Sequence, residues 1–61
     1  MTPNTELQLW EDELARAVRD LWYSEQLDDR GGIAWNEERI RWAKMKINNI
    51  LDLQQHNKKG A

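Results

Sequence analysis

The chain has 61 residues with a net charge of −2, a charged fraction of 33%, no Cys and a single His. A monomer of this length buries only roughly 60% of the surface its unfolded chain exposes. The missing cysteines exclude disulfide staples and one His argues against a structural metal, so association with another chain is the expected means of support. No apolar run is long enough to span a membrane and no basic-then-apolar leader is present, and a cytoplasmic protein is expected. Charge is unevenly placed. Residues 1–30 carry eight acids against Arg16, Arg19 and Arg30, a net −5, whereas residues 31–61 carry +3.

The first predicted helix runs from about residue 5 to 27. Leu7, Trp10, Leu14, Ala17 and Leu21 recur at alternating spacings of three and four, which is the pattern of a core seam, and Val18 widens it. Thr5 and Gln8 have the spacing of a capping box; the alternative start is Thr2 as cap with Pro3 at the first helical position. Asp12 and Arg16 are placed for an i, i+4 ion pair. The seam fades at Ser24 and Glu25. Trp10 is expected in the core, Trp22 at the seam edge, and Tyr23 and Leu27 on the outer side near the turn.

The run Asp28, Asp29, Arg30, Gly31, Gly32 is the one strong break, and a turn over 28–35 is predicted with Gly31 or Gly32 as the residue that ends helix 1. Asn36 then caps a second helix over 36–57, with Trp35 and Ile40 as a hydrophobic staple and Glu37 and Glu38 in the first turn. Lys58 and Lys59 suit the far end, Gly60 stops the helix, and 58–61 form a short tail. The fold class is all-α: a single antiparallel two-helix hairpin that self-associates into a four-helix bundle.

Helix 2 is apolar on two sides, and a hairpin supplies a partner for only one. Ile40, Ala43, Ile47, Ile50 and Leu51 form the core stripe. Trp35, Trp42, Met45 and Leu53 form another, and with Trp22 they are the predicted protein interface. The expected partners are a second copy, giving a homodimer, and a larger protein. Arg39, Arg41, Lys44 and Lys46 support a nucleic-acid reading only weakly, because they point in several directions and the chain is acidic. A purely structural assembly subunit is a further alternative.

Catalytic chemistry is poorly supplied, and neither a small-molecule substrate nor a cofactor is expected. Asp52 and His56 have i, i+4 spacing, but a metal site needs three or four protein ligands; Ser24 has no nearby base. The function expected is therefore that of a small non-catalytic interaction or regulatory module, with no metal and no membrane partner.

Overall fold

A computed structural model describes residues 3–59, with side chains over 5–55. Helix α1 spans Pro3–Gln26 and helix α2 spans Arg30–Lys59, with three residues between them. The chain reverses at this connection. Asn36 meets Ser24 and Arg39 meets Asp20, so partners move back along α1 as they advance along α2, and the helices are antiparallel. The body measures 50 × 15 × 13 Å, two helices wide and one hairpin long.

The turn is tighter than the glycines suggest, and they do not make it. Asp28 takes the left-handed conformation, at φ 53°. Its N–H donates to the Glu25 carbonyl at 3.2 Å, and the Asp29 N–H donates to the Ser24 carbonyl at 2.9 Å. These are the two bonds of a Schellman ending, with Asp28 in the place expected of Gly31 or Gly32; a short polar side chain tolerates that conformation better than most. Asp29 then starts the next helix at once. Its carbonyl accepts the Ile33 N–H at 2.8 Å, and its Oδ1 accepts the Gly32 N–H at 3.1 Å. One residue thus closes α1 and caps α2.

The predicted turn over 28–35 and the Asn36 cap are accordingly corrected. Residues 30–35 are helical, Asn36 is a buried interior residue, and Glu37 and Glu38 lie beyond the first turn, which holds no acid. Trp35 and Ile40 therefore form no staple. The amino-terminal start also moves: α1 begins at Pro3, as in the alternative, and Thr5 lies inside the helix. Thr2 and Gly60 lie outside the described residues, as do the side chains of His56, Lys58 and Lys59.

Gly32 has a steric rather than a conformational role. A Cβ there would stand 2.6 Å from Asp29 Oδ2 and 2.7 Å from Ser24 Oγ, where the two helices converge. At Gly31 the nearest atom would be 3.8 Å away. Beyond the turn the helices meet along a narrow seam. Ala17 and Ala43 are fully covered and Ile50 nearly so, and these are the buried apolar residues among those described. Ser24 and Asn36 complete the seam as buried polar residues, so it continues through Ser24 where it was expected to fade.

No large side chain among the described residues is fully enclosed. Trp10 is half-buried rather than core, and Leu51 and Val18, assigned to the core stripes, are exposed. Tyr23 and Leu27 are also exposed, on the outer side near the turn. The two glycines give a paired prediction. Gly31→Ala should raise unfolding free energy by roughly 0.5–1 kcal/mol through helix propensity. Gly32→Ala should lower it by about 1–3 kcal/mol through overpacking, as read from urea midpoints.

Candidate protein-interaction surface

Arg39 occupies the middle of one flank of the hairpin and joins the two helices. Its Nε donates to Glu13 Oε2 at 3.0 Å and its Nη2 to Glu13 Oε1 at 3.1 Å, a two-pronged fork. Its Nη1 donates to Asp20 Oδ2 at 2.7 Å and to Asn36 Oδ1 at 2.9 Å. Four hydrogen bonds from one guanidinium use most of its five N–H donors. Asn36 in turn donates from Nδ2 to Ser24 Oγ at 3.1 Å, and no buried side-chain polar atom among the described residues is left without a partner.

This network fixes the register. Sliding one helix along the other would leave Asn36 and Ser24 buried without bonds, which costs more than the bonds themselves contribute. The Arg39 guanidinium holds the Glu13 carboxyl below its ordinary value, against a smaller opposing effect of burial, and the two carboxylates hold Arg39 firmly protonated. A further ion pair, Arg41 with Glu38 at 3.3 Å, is on the solvent side and contributes little. The predicted Asp12–Arg16 pair is not among the ion pairs seen.

The five predicted interface residues are all exposed, yet they do not form one patch. Trp35 and Trp42, one heptad apart, stack edge to face with ring centres 5.9 Å apart at 88°. They are 56% and 44% exposed and lie on the same flank as Arg39. Leu53 falls on that flank too, about 16 Å further along α2 at 1.5 Å per residue. Met45 is turned about 60° further round the helix, toward the back. Trp22 is on the other helix, where its ring meets Tyr23 edge to face at 5.2 Å. The core of the surface is thus the Trp35–Trp42 pair, whose contact restrains both rings.

Near the free ends, Glu6, Leu9, Trp10 and Glu13 bound a depression of about 320 Å³ on α1. It brings no nucleophile beside a base. No group of three or more potential metal ligands occurs among the described residues, and no helix is long and apolar enough to cross a membrane. The Asp52–His56 spacing rests on a side chain outside the described residues. Sequence reading missed the Ser24–Asn36–Arg39–Glu13–Asp20 network entirely. Its one visible signal was that Glu13 and Asp20 stand a heptad apart beside the seam.

The network predicts an acid-sensitive hairpin. A carboxylate whose folded pKa is lowered contributes stability above its ordinary value of 4.5 and loses it as pH falls through the folded value. Unfolding followed by circular dichroism should therefore show stability falling below that pH. Glu13→Gln should flatten this part of the profile, and Arg39→Met should cost roughly 1–3 kcal/mol at neutral pH.

No family model, no curated protein and no solved structure matches this chain.

Proposed function

We propose that the chain is a small non-catalytic protein–protein interaction module of the regulatory kind. It acts in the cytoplasm as a helical-hairpin oligomer and meets a larger protein through the flank that carries Trp35 and Trp42. The observation that carries this reading is the exposed Trp35–Trp42 pair, held edge to face at 5.9 Å. Aromatic anchors that are already ordered lose little freedom on binding, and tryptophan dominates the energetics of interfaces. Two such rings on a rigid helix suit insertion into an apolar groove of a partner.

The nucleic-acid alternative draws less support. Arg39, central among the four basic positions, is saturated by Glu13, Asp20 and Asn36, and Arg41 is paired with Glu38. Phosphate binding would have to break these contacts or rest on Lys44 and Lys46. The test is capture of cell proteins on the immobilised chain, with the Trp35→Ala/Trp42→Ala variant as control. The wild type should retain a partner that the variant loses, and the affinity for it should fall by about 1–3 kcal/mol for each ring removed. Equal retention by both chains, at equal helicity, would overturn the assignment.

A further inference from the structure

Opposite the Arg39 flank, the hairpin presents a second face on which Leu and Ile recur at heptad spacing. Taking Ala17 as the centre of the α1 seam, Leu21, Leu14 and Leu7 lie about 40–80° to one side at 100° per residue. Taking Ala43 on α2, Ile47, Ile40 and Ile33 lie about 40–80° to one side in the same sense. In an antiparallel pair equal rotations fall on the same flank, as the meeting of Arg39 with Glu13 and Asp20 demonstrates for the opposite one. All six residues are half-buried, covered at the seam edge and open outward.

We propose that this Leu–Ile face closes against the same face of a second copy, with α1 of each chain lying over α2 of the other in a four-helix bundle. The inference rests on the self-association in the proposed function and assigns the face that performs it. Four observations identify a second copy as the occupant. The spacing is strictly seven on both helices, the period that lets helices interdigitate along their whole length, and a second copy presents the same period. Among the described residues the single hairpin encloses only Ala17, Ala43 and Ile50 as apolar core, so its large aliphatic side chains lack a covering layer.

The length fits as well. The Leu7–Leu21 and Ile33–Ile47 columns each cover three successive heptad positions, about 21 Å at 1.5 Å per residue, so the two lines of knobs are matched in length. Charge then selects the arrangement. Within Pro3–Gln26 six acids face two arginines, a net −4, whereas Arg30–Lys59 holds seven bases and three acids, a net +4. Placing α1 over α1 would oppose like charges along the bundle; α1 over α2 opposes unlike ones. The same closure leaves the Trp35–Trp42 flank of each copy facing outward, on opposite sides of the dimer.

Light scattering on the full chain tests the face, and crosslinking tests the arrangement. The wild type should have twice the 7.3 kDa chain mass. Leu14→Asn/Ile40→Asn should raise the dimer dissociation constant on the order of 100-fold or more, whereas Trp35→Ala/Trp42→Ala should leave it nearly unchanged. The chain has no cysteine, so Val18→Cys and Lys44→Cys chains can be oxidised separately or mixed, which does not depend on a weakened core. The mixture should crosslink far more than either chain alone. A monomeric wild type, equal crosslinking in the separate chains, or a dimer broken by the tryptophan variant and not by the Leu14/Ile40 variant would overturn the inference. The last result would preserve self-association and move it to the tryptophan flank, and partner capture by that flank is a separate readout in every case.

Discussion

Everything in this hairpin follows from how little two helices can cover. Each presents one strip to the other, and here the strip is filled at its middle by two alanines, so the backbones run close and the large side chains are pushed to either side. The result is a thin body with two long flanks and almost no interior. Stability that a larger domain would draw from an enclosed core has to come from the turn, the polar cross-links and whatever covers the flanks.

The flanks divide the remaining work. One is polar at its centre, where Arg39 ties Glu13 and Asp20 of α1 to Asn36 of α2, and this sets how the helices align. The same flank carries the stacked tryptophans, held on a helix whose rotation and register the network fixes. An interaction surface gains from such a support, because ordered anchors bind with less entropic loss. The other flank carries Leu and Ile columns at heptad spacing, with charged residues such as Glu25 and Lys44 along its margin. In the proposed dimer the two flanks have separate uses, self-association on one and partner recognition on the other.

Much of the helical content was legible from spacing. The stripes from Leu7 to Leu21 and from Ile40 to Ile50 lie on the sides of the helices that meet, as a period of 3.6 requires, but only Ala17, Ala43 and Ile50 of them are buried, and their Leu and other Ile positions stand half-buried at the seam edge. The turn was misread for a physical reason: two adjacent glycines are strong signals for a break, yet Gly32 is required by the close approach of Ser24 and Asp29, and Asp28 makes the left-handed turn. That error hid six residues of α2. With 30–35 counted as helix, Ile33 and Asn36 extend their columns by a full heptad, and the Leu–Ile face becomes complete on both helices. The polar network was not legible, since the spacing of Ser24, Asn36 and Arg39 says nothing about contacts across a turn placed in the wrong position. Of the predicted interface, Trp35 and Trp42 come together, Leu53 shares their side, and Met45 and Trp22 point elsewhere.

In the proposed dimer the hairpin owes its stability to a second copy. Thermal unfolding measured by circular dichroism over a roughly hundredfold range of chain concentration tests this most directly, because a transition that dissociates as it unfolds has a midpoint that rises with concentration. A midpoint climbing steadily across the range is the expected result. A cooperative transition at one temperature, independent of concentration, would contradict it and mean that the narrow seam, the Asp28–Asp29 turn and the Arg39 network hold a lone hairpin together.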